Sequence, residues 1–400
     1  MTAFAARITT APRAHDERRG AEAVALVGAA GPAAELLKAA AGSSPYLADL
    51  ARREADWLSD ALAAAPEGAF SDLLGAVDPE AGVREMSVAL RQLKRRAALL
   101  IALADLGGVW SLDEVTGALS DLADRAVALA FDASIRAEAT GPLKGVTAVE
   151  AGLIALAMGK GGARELNYSS DIDLVLFHDG ERFDEATQEE IKPRWTKIVQ
   201  RVVKLLSEQT ADGYVFRTDL RLRPNPSVTP LCMQVEAAER YYEGHGRTWE
   251  RAAFIKARPC AGDLPAGAAF LDWLKPFIWR RHLDFAALED INDIRAKIRD
   301  AKGLAGRYDL PGYDLKLGPG GIREIEFFAQ TQQLALGGRN PELRARRTVD
   351  ALAALADLGR IEEETRDALT DAYRAHRTLE HRLQMIADQQ THAMPTGAER

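Results

Sequence analysis

The sequence predicts an α+β fold that is predominantly helical, in which a small mixed sheet lies between two helical regions. Residues 84–108 repeat apolar side chains at helical spacing and end near Gly107, which is typical of a buried amphipathic helix. Residues 171–177 and 214–223 are rich in apolar and β-branched side chains, which indicates two strands. A predicted helix over about 185–208 separates them, and this order favours a mixed sheet with a helix packed across it.

The same patterns divide the 400 residues into four segments. Residues 1–20 mix Pro, Arg and Thr and are predicted to be a disordered N-terminus. Segment 21–135 is predicted to be an N-terminal helical region, and 136–265 to be the core that carries the acidic motifs. Helical spacing returns over 266–400, which predicts a C-terminal helical bundle.

Charge and cysteine content exclude several classes of protein. The 51 Lys and Arg are interspersed with 59 Asp and Glu, so the formal net charge of −8 argues against a nucleic-acid partner. Cys232 and Cys260 lack C-x-x-C spacing, which indicates neither disulfide nor zinc and favours a reducing compartment. Since the sequence has no apolar run of about 18 residues and no signal-peptide pattern, we expect a cytoplasmic protein without a membrane partner.

The first acidic motif is the D-x-D pair of Asp171 and Asp173, directly behind the glycine- and serine-bearing stretch 159–170. Side chains alternate along a strand, so the two carboxylates leave the same face, roughly 6.6 Å apart. Two acids at the edge of an apolar strand repel each other unless a cation joins them, and Mg²⁺ with bound phosphate is the simplest such cation. The alternative is a solvated acidic pair where a strand meets a loop.

The second acidic motif places Asp219 among arginines. Strand periodicity over 214–223 puts Asp219 on one face with Arg217, Arg221 and Arg223. If this strand lies beside the D-x-D strand, three carboxylates converge with guanidinium groups, which is the arrangement that metal ions and a phosphoryl group need. The alternative is that Asp219 only neutralises neighbouring arginines.

Four blocks of sequence together resemble one family. They are G-K-G-G-A-R-E-L-N-Y-S-S-D-I-D-L-V-L-F (159–177), R-T-D-L-R-L-R-P (217–224), G-R-T-W-E-R-A-A-F-I-K-A-R-P-C-A-G-D (246–263) and K-L-G-P-G-G-I-R-E-I-E-F-F-A-Q (316–330). In this order they resemble the glutamine synthetase adenylyltransferases, also called glutamate–ammonia-ligase adenylyltransferases, over roughly residues 25–400. The resemblance implies a polymerase-β-like nucleotidyltransferase core within the small mixed sheet.

The resemblance implies a family of bifunctional enzymes that have two nucleotidyltransferase domains in tandem. The resemblance implies that the N-terminal one removes AMP from a tyrosine of glutamine synthetase by phosphorolysis, and that the C-terminal one attaches AMP from ATP. The first and third blocks are similar to the N-terminal, adenylyl-removing half. Two departures stand out: Ala163 replaces an expected glycine, and only one core is present, so the helical region that ends this chain is expected to be truncated.

The resemblance and the residue types together assign candidate roles. Asp171, Asp173 and Asp219 are the candidate catalytic and metal-binding residues, with Mg²⁺ as the expected cofactor and Mn²⁺ as a possible substitute. Further candidates for binding nucleotide or phosphate are Gly161, Gly162, Ser169, Ser170, Arg221, Arg223, Lys256, Arg258, Arg251 and Arg323, with Glu324 and Glu326 as possible orienting acids. A helix from Ile322 onward is expected to turn free amides towards an anion. The alternatives are solvated basic residues, and glycines that serve packing.

The expected partners follow from the resemblance. They are adenylylated glutamine synthetase as the protein substrate, orthophosphate and ADP, and a PII-type signalling protein as a regulator. Two alternatives stay open. The same acids would serve ATP-dependent adenylylation of the synthetase, and a catalytically silent docking module for the synthetase or a PII-type protein would not need them.

Overall fold

A computed structural model describes residues 2–138, 140–281 and 310–396 of the chain. The predicted C-terminal bundle over 266–400 therefore lies partly outside the described residues. No helix within the described ranges is long and apolar enough to cross a membrane.

The N-terminal region is helical, as the spacing predicts. Helices α1 to α5 are short, and α6 and α7 are long and pack together through alanine and leucine side chains. Helix α6 ends at Leu106 with Gly107 as its cap, close to the predicted 84–108. A capping box between Ser111 and Glu114 begins α7. The bounds are α1 Glu17–Val27, α2 Gly31–Ser43, α3 Pro45–Arg53, α4 Ala55–Ala63, α5 Pro66–Gly75, α6 Val83–Leu106 and α7 Leu112–Ala137.

The first residues of the chain differ from the predicted disordered segment 1–20. Phe4 is fully buried within a short 3₁₀ turn. Arg7 donates to a carboxylate oxygen of Glu67 at 2.7 Å, and the Thr10 hydroxyl donates to the Leu106 carbonyl at 2.9 Å. Burial of one aromatic ring, together with these bonds, stabilises a segment whose composition alone indicates disorder.

A five-stranded mixed sheet follows, which confirms the predicted small mixed sheet. Its order is β3-β2-β1-β5, and β4 pairs with the other end of β2. Strand β1 runs antiparallel to β2 and β5, whereas β3 and β4 run parallel to β2. The strands are β1 Leu153–Ala157, β2 Asp171–His178, β3 Arg217–Asp219, β4 Cys232–Gln234 and β5 Arg258–Gly262, with the short helix α8 at Gly159–Gly162 and the long helix α9 at Glu185–Ser207.

The second predicted strand is much shorter than 214–223. Strand β3 contains three residues and ends at Asp219. The carboxylate of Asp219 accepts the backbone N–H of Arg221 at 2.8 Å, and this local bond turns the chain out of the sheet. Arg223 then donates to the carbonyls of Leu220 and Pro226. Arg221 and Arg223 therefore lie in a loop and do not share a strand face with Arg217.

The remaining helices surround the sheet and reach back to the N-terminal region. Ser44 donates from its hydroxyl to the Met385 carbonyl at 2.7 Å, and the Ser169 amide donates to the Gln384 side chain at 2.9 Å. The last described helix therefore contacts both the N-terminal region and the segment that leads into β2. The bounds are α10 Val235–Gly244, α11 Thr248–Ile255, α12 Leu264–Trp273, α13 Lys275–Ile278, α14 Ile322–Leu336, α15 Thr348–Asp357 and α16 Glu363–Met385.

Candidate active site

The parallel pairing of β2 with β3 brings the three predicted acids together. In the register of the two strands, Asp173 lies opposite Asp219 and Asp171 lies opposite Arg217. Neighbouring strands are about 4.8 Å apart, and Asp171 and Asp173 leave the same face of β2. The three acids therefore lie together within the first three residue pairs of β2 and β3, at the end of the sheet where β2 begins.

These acids line an open cleft of about 530 Å³. Five other predicted residues share this cleft: Ser170, Arg221, Lys256, Arg323 and Glu326. Sequence reasoning missed the other lining residues, which are Gly159, Lys160, Asn167, Lys316, Leu317, Phe327, Gln330, Gln390 and His392. Lys160 lies in the block 159–177 and Lys316 in the block 316–330. Their position beside glycines in these blocks could have indicated a place at the site. Gln390 and His392 lie far along the chain and carried no such signal.

Arginines hold two of the acids, and among the described residues the third acid, Asp173, has no such arginine partner. Arg217 donates to Asp171 at 2.7 Å, and Arg221 donates to both carboxylate oxygens of Asp219 at 2.9 and 3.0 Å. The hydrogen bond from the Arg221 side chain lowers the pKa of Asp219. Burial, followed by the charges of Asp219 and Asp171, raises the pKa of Asp173 to about 6. The site thus keeps one carboxylate whose negative charge is poorly compensated.

Comparison with known proteins identifies the family. The sequence profile of glutamate-ammonia ligase adenylyltransferase matches residues 34–273, more than half of the chain. The chain belongs to the glutamate-ammonia ligase adenylyltransferase family. A second profile, that of the PII-uridylyltransferase, matches residues 292–400.

Several curated relatives of this adenylyltransferase family are about half identical to the chain. One from Rhodopseudomonas palustris is 47% identical over 100% of the chain and 43% of its own length. One from Bradyrhizobium is 50% identical over 91% of the chain and 38% of its length, and one from Caulobacter vibrioides is 50% identical over 94% of the chain and 39% of its length. Each is named a bifunctional glutamine synthetase adenylyltransferase/adenylyl-removing enzyme. The chain thus spans less than half the length of the relatives it matches.

The acids of this family member suit a divalent cation by their chemistry. All three offer only carboxylate oxygens, the ligands that Mg²⁺ prefers. A Cβ at Gly159 would stand 2.9 Å from Oδ2 of Asp173, so the glycine keeps space open beside this oxygen. Within the described ranges, no group of three His, Cys, Asp or Glu side chains is gathered closely enough to hold a metal ion. Two of the three acids pair with arginines, Asp171 with Arg217 and Asp219 with Arg221.

Lys256 lines the cleft, but carboxylates already neutralise it. Its ammonium group donates to Glu326 at 2.8 Å, to Glu165 at 3.2 Å and to the Thr348 hydroxyl at 3.2 Å. Burial opposes the charged form of Lys256, but Glu326 and Glu165 outweigh burial and raise its pKa. Burial likewise acts to raise the pKa of Glu326, but Lys256 and Lys160 lower it to about 2. Lys256 therefore belongs to a buried ion network at the cleft, and its contact with phosphate stays a prediction.

Gly161 and Gly162, which were predicted to bind phosphate, pack beside the cleft and do not line it. A Cβ at Gly162 would lie 2.1 Å from the Lys256 carbonyl oxygen, so this glycine permits close backbone packing. The carbonyl of Gly161 accepts two hydrogen bonds from Arg258 at 3.0 and 3.2 Å. Arg258 also pairs with Asp124 on α7 at 2.6 Å. Arg258 thus joins β5 and α8 to α7. Gly161, Gly162 and Arg258 do not line the cleft.

Four more predicted residues lie outside the cleft lining, and each of them forms a hydrogen bond with another part of the chain. The Ser169 amide donates to Gln384, which leaves it unavailable to phosphate. Arg251 is buried and donates to the Ile278 carbonyl at 3.3 Å. The side chain of Glu324 accepts the Gly320 N–H at 2.8 Å, and Arg223 holds its own loop.

The start of α14 also differs from the prediction of free amides. The Ile322 N–H donates to the Leu315 carbonyl at 2.9 Å, and the Arg323 N–H donates to the Lys316 carbonyl at 3.0 Å. These amides are satisfied by the chain itself because the preceding turn folds back over the helix. An anion in the cleft would meet side chains here, not backbone amides.

Proposed function

We propose that this chain removes AMP from an adenylylated tyrosine of glutamine synthetase by phosphorolysis and releases ADP. The observation that carries the proposal is the register of β2 and β3, which sets Asp219 beside Asp173 at the cleft that also receives Asp171. The names of the relatives, which join adenylyl transfer and adenylyl removal on glutamine synthetase, support it. The motif that contains Asp171 is similar to that of the adenylyl-removing half, which favours this direction of the reaction.

Asp171, Asp173 and Asp219 would hold Mg²⁺, or Mn²⁺ in its place. The cation would supply positive charge to the phosphoryl group during transfer. Arg217 and Arg221 lie beside the same acids, and their guanidinium groups suit phosphoryl oxygens. Since orthophosphate is already anionic near neutral pH, it needs positioning more than a general base. The leaving tyrosine oxygen, whose conjugate acid has a pKa of about 10, is stabilised by nearby positive charge.

A PII-type protein is the proposed regulator, and the cytoplasm the proposed location. The PII-uridylyltransferase profile over residues 292–400 supports a link between this part of the chain and PII signalling. Cys232 and Cys260 are buried free thiols, which suits a reducing compartment. The core is proposed to share the polymerase-β-like nucleotidyltransferase fold, in line with its five-stranded mixed sheet.

The test is a phosphate-dependent release of ADP. The chain is incubated with adenylylated glutamine synthetase, Mg²⁺ and orthophosphate, and ADP is measured by chromatography. We expect ADP from the native chain and a fall of at least about 100-fold for Asp173→Asn, because this variant removes a charge that acts in the transition state.

The matched control is Asp72→Asn, at an exposed acid on α5, which should keep full activity. Labelling of unmodified synthetase from ATP, without phosphate-dependent ADP, would favour the opposite reaction. An Asp173→Asn variant that matches the native chain in every assay would favour a docking module.

A further inference from the structure

The cleft contains two chemically different groups of side chains. The acids come from β2 and β3, whereas Lys316 comes from the segment that leads into α14 and Arg323 from the first turn of that helix. Both groups line the same cleft of about 530 Å³, so the cations and the acids face one shared space.

The cations of the cleft differ in how far they are already neutralised. Lys256 is held by Glu326 and Glu165, and Lys160 pairs with Glu380 at 3.3 Å. Lys316 and Arg323 are half-buried, and neither side chain forms an ion pair with any residue that the structure describes. A half-buried cation without a carboxylate partner loses hydration, and an anion in the cleft would compensate for that loss.

The backbone fixes these two cations next to each other. The Arg323 N–H donates to the Lys316 carbonyl at 3.0 Å, and the Lys316 N–H donates to the Asp314 side chain at 2.9 Å. The turn depends on Gly318, where a Cβ would lie 2.5 Å from the Asp314 carbonyl oxygen. The guanidinium group of Arg323 packs over the Phe327 ring at 5.7 Å, which restricts its side chain. These contacts hold the backbone of both residues and the Arg323 side chain at the cleft.

We propose that Lys316 and Arg323 bind the orthophosphate that accepts the AMP group, and that the same two side chains hold the β-phosphate of the ADP product. This assignment rests on the proposed function. A hydrogen phosphate dianion carries two negative charges, which two cations match, and a guanidinium group suits two of its oxygens at once.

Transfer of AMP to orthophosphate needs no reactant besides hydrogen phosphate and adenylyl-tyrosine. A phosphate oxygen forms a bond to the α-phosphorus of adenylyl-tyrosine, and the bond from this phosphorus to the tyrosine oxygen breaks. The electron pair of the broken bond remains on tyrosine. The proton of hydrogen phosphate then passes to the tyrosinate, because ADP is the weaker base. The products are ADP and unmodified tyrosine.

The kinetic test compares Lys316→Met and Arg323→Met with the native chain, using adenylylated glutamine synthetase and varied orthophosphate. We expect the KM for phosphate to rise about tenfold or more in each variant, since each loses a charge-assisted hydrogen bond. The KM for the protein substrate and the kcat at saturating phosphate should change little. Lys197→Met and Arg240→Met are matched controls at exposed cations outside the cleft, and both should keep the native KM.

A charge-retaining variant and a binding measurement distinguish loss of the phosphate subsite from misfolding and from failure of the proposed function. Lys316→Arg should recover most of the phosphate affinity, whereas a loss through misfolding would also raise the KM for the protein substrate. Calorimetry with Mg²⁺ should show that the native chain prefers ADP to AMP and that Lys316→Met loses this preference. An unchanged KM for phosphate in both methionine variants overturns the subsite but leaves the proposed function intact. If the native chain releases no ADP, the proposed function fails, and the preference for ADP over AMP still decides the subsite.

Discussion

At the scale of single residues, the main feature of the site is that Asp173 is half-buried beside two other acids. Its pKa of about 6, raised by burial and then by Asp219 and Asp171, lies above the ordinary value of 3.8. The folded chain therefore binds this proton more tightly than the unfolded chain does. Folding stability contributed by this group rises as pH falls from above 6 to below about 4. The site thus gives up stability at neutral pH in exchange for negative charge at the cleft.

Replacement of Asp173 should reverse that loss. Without divalent cations at pH 8, we expect Asp173→Asn to unfold with a free energy about 1 kcal/mol or more above that of the native chain. The difference should vanish near pH 4, where the native side chain is protonated. Addition of Mg²⁺ should stabilise the native chain and not the variant. Urea unfolding at both pH values, with Asp72→Asn as the control, measures this; greater stability of the native chain at pH 8 without metal would contradict it.

Lys256 presents the opposite case, because it is neutralised and structural. We expect Lys256→Met to lower the free energy of unfolding by about 3 kcal/mol at pH 7.5, since Glu326 and Glu165 would be left buried without their cation. In the native chain Lys256 keeps the pKa of Glu326 depressed to about 2, against burial, so the stability from this pair is present above about pH 4.5 and is lost as pH falls towards 2. In the variant Glu326 loses the charge that most strongly lowers its pKa, so it should take up a proton at a higher pH than in the native chain, and the difference in unfolding free energy between the two chains should narrow as pH falls.

The measurement is urea unfolding of native chain and variant at pH 7.5 and pH 5, with Lys197→Met as the exposed control. An equal loss at both pH values would show that the methionine only disturbs packing.

At the scale of elements, the sequence predicted the existence of helices and strands better than their ends. Residues 84–108, 171–177 and 185–208 carry strong periodicity, and the structure places α6, β2 and α9 there within a few residues. The alternation in 214–223 continues past Asp219, yet a side-chain bond to Arg221 ends β3. Periodicity reports which face is apolar and carries no information on such a competing local bond.

The same limit applies to the candidate site. The three acids could be predicted because their spacing along two strands is a local property. The partners of Lys256 and Arg258 could not, because Glu165, Glu326 and Asp124 approach from distant parts of the chain. The basic residues of a motif look alike in sequence, whether a carboxylate or a ligand neutralises them.

The short helix α8 offers a matched pair of glycines. We expect Gly162→Ala to lower the melting temperature sharply, because its Cβ would stand 2.1 Å from the Lys256 carbonyl oxygen and 2.5 Å from that of Ala157. Gly161→Ala should keep a near-native melting temperature, since the nearest atoms to its Cβ are 3.9 Å away. Calorimetric melting of both variants tests this, and a Gly162→Ala chain as stable as Gly161→Ala would contradict the packing role.

At the scale of the whole molecule, α16 joins regions that the sequence predicted as separate segments. Arg377 on this helix is 1% exposed, and its guanidinium group donates to the Glu165 carbonyl at 2.6 Å and pairs with Glu380 at 3.3 Å. Glu380 in turn pairs with Lys160 of the cleft. The boundary predicted at 265 remains a prediction, but the contacts across it connect the C-terminal helices to the short helix α8, which carries Lys160.

This connection predicts that α16 and the sheet unfold together. Arg377→Met should lower the free energy of unfolding by about 3 kcal/mol, because Glu380 loses a buried cation. Arg374→Met is the matched control three residues earlier on the same helix; its side chain is 50% exposed and pairs with Asp113 at 3.7 Å, so its removal should cost less than about 1 kcal/mol. Hydrogen exchange measured by mass spectrometry separates the possibilities. If the regions are coupled, amides of β2 and of α16 should lose protection equally in Arg377→Met. If only α16 loses protection, the C-terminal helices unfold independently and the contacts of Arg377 do not stabilise the sheet.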